Sequence, residues 1–283
     1  PSAGAAGTAG GGNTNTVAPS DKANNLTDPV VSAPTGTRVI FYHPENHRWS
    51  YGSVLRRPAA PGALNFAHPP TVDPTLNDVV TMWQGDITTL DVDGVQNAAN
   101  EGLRSGGGIC GAIFGAAGEF DLQRACFRLH PLIEGGNPDR WGGERCVVGD
   151  TKVTPGCGLH ARPVLHTVGP RGEKPVLLEA AYRSALDSAV AAGMESVALC
   201  CISTGIFGYP PEAAAPLAVA TVRAWLEERR YGGACSAGVG GGVLQSNNAA
   251  GPVGGLKRIV FCLFLDKDVA LYRHWMGIWF PRV

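Results

Sequence analysis

The run SVALCCIS, residues 196–203, is apolar at almost every position. A short strand without a polar face is typical of a parallel sheet whose two faces are both covered by helices. The rest of the chain agrees, because short apolar runs alternate with segments of helical periodicity. Strands are predicted at 78–87, 93–99, 146–154, 161–168, 196–203 and 257–265, and helices at 109–130, 176–192, 211–230 and 268–275. This alternation predicts an α/β fold with three layers, α/β/α.

Three segments lie outside the alternation. Residues 1–36 are mostly small and polar, so they are predicted to form a disordered, low-complexity tail that buries too little apolar surface to order itself. Residues 37–77 carry aromatic side chains among prolines and are predicted to be an irregular extension packed on the main body. The Gly-rich stretch 232–255 is predicted to be a mobile insertion. We therefore expect a single domain over 37–283.

Charge and cysteine content narrow the possible partners. The 23 Lys and Arg residues balance 24 Asp and Glu without a long basic run, so a nucleic-acid partner is not expected. No apolar stretch reaches the ~18 residues of a membrane span, so no membrane contact is expected. The eight cysteines form no C-x-x-C pair or zinc-type cluster, so no metal site is expected. Several cysteines lie in apolar runs, which is typical of reduced thiols in an intracellular protein.

Two glycine-containing loops follow predicted strands. The glycines 106–108 precede a helix that begins near Ile109, and a helix N-terminus presents free N–H groups and a partial positive charge to an anion. The loop STGIFGYP, residues 203–210, follows the apolar strand at the edge where open α/β sheets bind ligands. Together the two loops predict a diphosphate site that needs no Lys or Arg.

Two other enzyme classes, a dinucleotide-binding dehydrogenase and a cysteine phosphatase, fit the spacing of the glycines and cysteines only in part. Residues 106–111 fit the G-x-G-x-x-G pattern of a dinucleotide-binding dehydrogenase, but the segment NAANEGLRS separates them from the strand. Tight binding of NAD would reveal that class. A cysteine phosphatase needs C-x5-R, whereas Cys157 and Arg162 are one residue too close.

Six motifs in order make the chain similar to macrodomains. They are GDIT (85–88), NAAN (97–100), GGGICGAI (106–113), HTVGP (166–170), STGIFGYP (203–210) and FCLFLDKD (261–268). Over roughly residues 78–280 the chain most resembles the MacroD-type ADP-ribose hydrolases. The resemblance implies a mixed, mostly parallel sheet, ADP-ribose as ligand, ADP-ribosylated proteins as partners, and no metal or other cofactor. We also expect the protein to act as a monomer.

The resemblance assigns the two ends of the ligand. Asp86 is expected to accept a hydrogen bond from the adenine amine, with the Ile87 backbone beside it, and Phe264 is expected to cover the adenine face. Phe207 is expected to lie against the distal ribose. Asn100 is expected to orient the hydroxyls of that ribose near the bond that is cleaved.

The resemblance also assigns the diphosphate to the two glycine loops. The expected contacts of the first loop are Gly107, Gly108 and Ile109, with Cys110 next to them, and those of the second loop are Ser203, Thr204, Gly205, Ile206 and Gly208. Asn97 and His166, by contrast, are interpreted as structural, because Asn97 can hold the loop by hydrogen bonds and His166 falls in a buried strand.

One departure from the family concerns the reaction. MacroD-type enzymes carry GGGGVDGAIH where this chain reads SGGGICGAIF, so Cys110 replaces the Asp that is proposed to be catalytic. Phe114 replaces the following His, and Ser105 replaces the first glycine. Viral macrodomains that resemble this family also lack the Asp and still remove ADP-ribose.

The resemblance therefore still implies hydrolysis. The expected substrates are mono-ADP-ribose esters of protein Asp or Glu, and O-acetyl-ADP-ribose. Asn100 and Cys110 are the expected catalytic residues. Cys110 is expected to remain a neutral thiol that shapes the ribose pocket, while a phosphate oxygen orients water toward the ester or the anomeric carbon. The alternative is a non-catalytic reader of ADP-ribosylated proteins.

Overall fold

A computed structural model of the protein describes residues 72–231 and 255–282, together with the strands at 38–43 and 48–53. The predicted tail, residues 1–36, lies outside the described residues. The same is true of the predicted insertion except for Gly255, and of the extension outside the two strands and residues 72–77.

The core of the fold is a six-stranded sheet within the described residues. Its strands are β3 (Val80–Gln84), β4 (Gly94–Ala99), β5 (Thr151–Pro155), β6 (Pro163–Val168), β7 (Ser196–Leu199) and β8 (Arg258–Leu263). They lie in the order β3-β8-β7-β4-β6-β5. All neighbours are parallel except β5, which runs antiparallel to β6. The predicted mixed, mostly parallel sheet is therefore confirmed.

Helices cover this sheet in two groups. They are α1 (Pro74–Asn77), α2 (Ile109–Ala117), α3 (Glu119–Leu129), α4 (Pro175–Ala191), α5 (Pro211–Tyr231) and α6 (Asp266–Trp279). Helices α2 and α3 pack on each other and over β4 and β5, whereas α4, α5 and α6 pack side by side. These groups form the outer layers of the α/β/α fold. The inner strands β4, β6, β7 and β8 are almost wholly buried, whereas the edge strands β3 and β5 are partly exposed.

The predicted helix at 109–130 is two helices, and that prediction was wrong in this respect. Gly118 has φ 87° and ψ 97°, a conformation that cannot continue a right-handed helix and that glycine adopts without a Cβ clash. Its N–H closes α2 on the Gly115 carbonyl, and its carbonyl accepts from Leu122 at the start of α3. The apolar periodicity runs through the break, so the pattern alone does not show it.

Other boundaries shift by a few residues. The strand predicted from residue 146 pairs only from Thr151, because Gly149 (φ 91°) turns the chain first. Pro211 begins α5, and Pro216 lies inside the helix and does not start it. Gly193, with the left-handed φ of 71°, comes directly after the C-cap residue Ala192 of α4, where glycine commonly ends a helix.

Part of the extension is regular, although it was predicted to be irregular. Residues Arg38–His43 and Arg48–Ser53 form strands β1 and β2, which pair antiparallel with Arg38 opposite Ser53 and His43 opposite Arg48. This register is that of a β-hairpin. The sequence pattern does not reveal the hairpin, because the segment around it contains many prolines.

Candidate functional site

A cleft of about 290 Å³ opens at the carboxyl ends of the central strands. This is the edge of an open α/β sheet where ligands bind. Both predicted glycine loops border the cleft, together with residues that follow β4, β6, β7 and β8. The lining residues are Ala98, Ala99, Asn100, Gly106, Gly107, Gly108, Ile109, Cys110, Trp141, Gly169, Cys200, Cys201, Ser203, Thr204, Gly205, Ile206, Phe207, Cys262, Phe264, Leu265 and Asp268.

The first loop delivers the N-terminus of α2 to the cleft. Gly108 is the N-cap residue, with φ 62° and ψ −140°, and no side chain caps the helix. The first N–H groups of a helix have no intrahelical acceptor, so they remain available to an anion. A Cβ at Gly111 would lie 2.6 Å from the Gly106 carbonyl oxygen, so the loop folds closely over its own helix only with glycine there.

The second loop is a compact turn opposite the first. The Tyr209 N–H donates to the Ser203 carbonyl at 3.0 Å, and Gly208, with φ 68°, donates to the Gly205 carbonyl at 3.0 Å. The exposed side chain of Ile206 reaches across, since a Cβ at Gly107 would lie 3.0 Å from its Cδ1 atom. The two loops therefore approach each other closely at this part of the cleft.

Ser203 is a polar residue without an internal partner. Its φ of 67° is left-handed, it is buried, and its Oγ atom makes no hydrogen bond within the described residues. Gly169 makes room for it, because a Cβ at Gly169 would lie 2.2 Å from Ser203 Oγ. A buried hydroxyl that lines a cleft and has no partner is placed to bind a ligand or a water molecule.

Asn100 holds its own loop. Its Oδ1 accepts from the Arg104 N–H at 3.0 Å, and its Nδ2 donates to the Arg104 carbonyl at 2.7 Å. An amide nitrogen carries two hydrogens, so one donor remains for a ligand in the cleft.

Cys110 lies in the first turn of α2 with only 4% of its surface exposed. Burial raises its pKa above the ordinary value, and a hydrogen bond from Asn97 opposes the shift without reversing it. The thiol donates toward the Arg104 carbonyl at 3.6 Å, and Asn97 Nδ2 lies 3.7 Å from Sγ. The structure thus contains a neutral thiol, held between the loop and β4, which forms part of the cleft wall.

A family model described as Macro domain matches residues 96–218. ADP-ribose glycohydrolase MACROD1 of Rattus norvegicus is 34% identical over 215 residues, 74% of this chain and 69% of that protein. The chain belongs to the macrodomain family. It is also 34% identical to the protein of the same name from Mus musculus, but there the match spans only 55% of the relative.

A solved macrodomain agrees with the fold. The crystal structure of the Trypanosoma brucei macrodomain in complex with ADP-ribose is 31% identical, with a TM-score of 0.55. The match covers 74% of this chain and 75% of that chain.

His166 of this macrodomain is a core residue and lies away from the cleft. Burial lowers its pKa to about 3, so the ring is neutral. Nδ1 lies 3.1 Å from Asn97 Nδ2 and therefore accepts, and Nε2 donates to Thr154 Oγ1 at 2.9 Å. The interpretation of Asn97 and His166 as structural residues agrees with these bonds.

The other end of the macrodomain cleft carries Phe264, which is 72% exposed. Asp86 is exposed beside β8, and its charge raises the pKa of Cys262 further after the larger effect of burial. Asp86 Oδ1 accepts from the N–H and the hydroxyl of Thr88, whereas Oδ2 makes no hydrogen bond within the described residues. One carboxylate oxygen is thus free at this end.

Three of the predicted binding residues do not line the cleft: Asp86, Ile87 and Gly208. Asp86 directly follows Gly85, whose carbonyl accepts from the thiol of the cleft residue Cys262 at 3.5 Å. Ile87 is buried in the core, so only its backbone can serve a ligand. Gly208 shapes the second loop through its left-handed φ. The other predicted residues lie together around the cleft.

The sequence analysis missed two cleft residues that carry specific chemistry. Asp268 in the first turn of α6 is buried, and burial raises its pKa. Trp141 comes from the irregular segment after α3, where no periodicity signals a role. Within the described residues, no group of three His, Cys, Asp or Glu could hold a metal ion, and no helix is long and apolar enough to cross a membrane.

Proposed function

We propose that this macrodomain binds ADP-ribose in the cleft and hydrolyses the ester that joins mono-ADP-ribose to protein Asp or Glu. The observation that carries the proposal is the pair of loops at 106–109 and 203–208, which face each other across the cleft. The first loop presents the uncapped N-terminus of α2, and the cleft has no Lys or Arg among its described lining residues. The names of the similar relatives, ADP-ribose glycohydrolases, support the same activity.

The ligand has one orientation in this proposal. Adenine lies at the Phe264 end, where Asp86 Oδ2 accepts from the exocyclic amine. The diphosphate lies between the two loops, within reach of the orphan hydroxyl of Ser203. The distal ribose then lies at the end formed by Asn100, Cys110 and Phe207. The solved complex of a related macrodomain with ADP-ribose supports this kind of ligand.

The proposed mechanism follows from the lack of a general base among the described cleft residues at the distal-ribose end. The described cleft residues there include no carboxylate and no histidine, since Asp268 lies with Phe264 and Leu265 at the other end. Cys110 is neutral, so it does not provide a base at neutral pH. A phosphate oxygen of the substrate therefore orients the water, and the proton that the water loses passes to the ribose oxygen as that oxygen leaves the ester. Water adds to the ester carbonyl, the bond to the ribose oxygen breaks, and a protein carboxylic acid and ADP-ribose result.

O-acetyl-ADP-ribose is a second proposed substrate, because it presents the same type of ester on the same ribose. The alternative function is a reader that binds ADP-ribosylated proteins without cleaving them. One observation on Asn100 favours this reader function. Both ends of its amide already bind the Arg104 backbone, so a single donor remains for the reacting ribose.

One experiment separates the two functions. A protein mono-ADP-ribosylated on glutamate is incubated with the macrodomain, and free ADP-ribose is measured together with binding by calorimetry. Release of ADP-ribose supports the hydrolase. Binding without release supports the reader, and tight NAD binding with weak ADP-ribose binding would refute both.

A further inference from the structure

Arg171 lies at the rim of the cleft, against two aromatic rings. Its guanidinium carbon lies 4.3 Å from the centroid of the Phe207 ring and 5.6 Å from that of Trp141, and both rings line the cleft. The side chain is exposed, and no hydrogen bond or ion pair within the described part of the chain involves it. The two rings restrict the guanidinium, whose N–H edges stay free for a planar anion.

The Trp141 ring is itself held in place. Arg104 Nε donates to the Trp141 carbonyl at 2.5 Å, and Arg140 Nη1 binds Glu101 Oε1 at 2.5 Å. Glu101 directly follows Asn100 and is buried. The segment that carries Trp141 is therefore fixed to the loop that carries Asn100, and the position of Arg171 relative to the cleft is fixed with it.

Arg171 stands at one end of the cleft. The neighbouring Gly172 N–H donates to the Phe207 carbonyl at 2.7 Å, which fastens this turn to the second phosphate loop. In the proposed function, on which this inference rests, Phe207 lies at the distal ribose, to which the modified protein is attached. The acceptor chain must therefore leave the cleft past Arg171.

Several arginine side chains lie near this end of the cleft. Arg104 and Arg171 have no carboxylate partner within the described residues, and the carboxylate that pairs with Arg140 is 1% exposed. Asp139 is exposed and Glu173 is half-buried nearby in sequence, so acidic groups are present as well. Arg171 is the charge held against two rings that line the cleft, and an exposed guanidinium in that position favours acidic side chains on a chain that passes it.

We propose that Arg171 determines substrate specificity by binding an Asp or Glu that flanks the modified residue of the acceptor protein. The aromatic contacts hold the guanidinium ready, so a flanking carboxylate can bind its N–H edge with two parallel hydrogen bonds. Free ADP-ribose has no such carboxylate and does not use this contact.

Peptides that carry ADP-ribose through a hydrolysis-resistant linkage test the inference for a hydrolase and a reader alike. Two peptides differ only in flanking Asp and Glu against Asn and Gln, and calorimetry at low salt compares them. We expect the acidic peptide to bind about two- to fivefold more tightly, as for a partly exposed ion pair, and the difference to shrink with salt. Arg171→Gln should abolish the difference and leave the affinity for free ADP-ribose unchanged.

Arg258→Gln is the matched control. Arg258 is exposed at the amino end of β8, the opposite edge of the sheet from the cleft, so this variant should keep the preference. Arg171→Glu should favour peptides with flanking Lys.

Equal affinity of the unmodified protein for both peptides would overturn the inference. An equal loss for peptides and free ADP-ribose in Arg171→Gln would overturn it as well, since Arg171 would then bind the nucleotide. Failure of the unmodified protein to bind free ADP-ribose would refute the proposed function itself.

Discussion

Asn100 and Arg104 form a reciprocal pair, in which the amide of Asn100 accepts from the Arg104 N–H and donates to the Arg104 carbonyl. The pair closes a short turn directly before the glycines of the first phosphate loop. Asn100 therefore has a structural task in addition to the ligand contact that the resemblance assigns to it.

Asn100→Ala is expected to weaken both turnover and ADP-ribose binding. The N–H and carbonyl groups of Arg104 lose their part-buried hydrogen bonds, at a cost of up to about 1–3 kcal/mol each if water does not replace them, and the glycine loop loses its anchor. Thermal unfolding, calorimetry and turnover should all change. A variant with normal melting temperature and normal affinity but little turnover would instead show that the remaining donor of Asn100 acts mainly in the transition state.

The two carboxylate oxygens of Asp86 have different roles: Oδ1 accepts from Thr88, and Oδ2 is proposed to accept from the adenine amine. Asp86→Asn keeps an oxygen for Thr88 but presents an amide, which cannot accept from the adenine amine, in place of Oδ2. We expect a loss of about 1.5–3 kcal/mol, or roughly tenfold to hundredfold in ADP-ribose affinity. Asp86→Ala should lose the same affinity and, in addition, the cap of the 3-10 helix at 87–89.

Unchanged affinity by calorimetry in Asp86→Asn would remove Asp86 from the adenine site. Inosine diphosphate ribose, in which a carbonyl replaces the amine, provides a check. The unmodified protein should bind it less well than ADP-ribose, and Asp86→Asn should lose or reverse this preference, because its amide can donate to the carbonyl.

Gly205→Val tests whether the second loop holds the diphosphate. No atom lies within 4 Å of a Cβ at Gly205, and its φ is not left-handed, so the folded protein tolerates the side chain. Gly205 lines the cleft, so we expect the added side chain to block the close approach of the diphosphate, and ADP-ribose binding to be lost while the melting temperature is kept.

Gly277→Val is the control for that variant. Gly277 also has nothing within 4 Å of a Cβ and lies in α6, far along the helix from the cleft residue Asp268. Its ADP-ribose affinity should be normal. Normal affinity in Gly205→Val would mean that the diphosphate is held elsewhere.

The sequence pattern predicts the sheet, because apolar runs such as 196–199 and 258–263 are long enough to be buried on both faces. It does not predict the break at Gly118, because one residue with left-handed φ leaves the helical periodicity of both flanks intact. The local sequence pattern predicts where helices and strands form, whereas a break at a single residue depends on tertiary packing.

The candidate site divides in the same way. Motifs place Gly107, Ser203 and Phe264 around one cleft, because each follows the end of a strand. They do not place Trp141, whose carbonyl is bound by Arg104 from 37 residues away in the sequence. The motifs also do not show that Asn100 uses most of its hydrogen-bonding groups within its own loop, because those bonds depend on the turn conformation.

Cys110 decides which mechanism the proposed hydrolase uses. Burial raises the pKa of its thiol above the ordinary value of 9.0, so the thiol stays protonated at neutral pH. A bound diphosphate adds nearby negative charge, which raises the pKa further. The pH profiles of turnover for the unmodified protein and for Cys110→Ala should therefore have the same shape between about pH 6 and 8, because this thiol does not ionise in that range.

Three variants complete the test of Cys110. Cys110→Ser and Cys110→Ala should keep most of the activity, since they retain the small wall of the cleft, and Ala should cost some stability because it leaves a small gap beside Asn97. Cys110→Asp restores the carboxylate of MacroD-type enzymes and should keep or raise turnover. Complete loss of turnover in Cys110→Ala, with ADP-ribose affinity and melting temperature intact, would show that the thiol takes part in the chemistry and that the phosphate oxygen does not suffice.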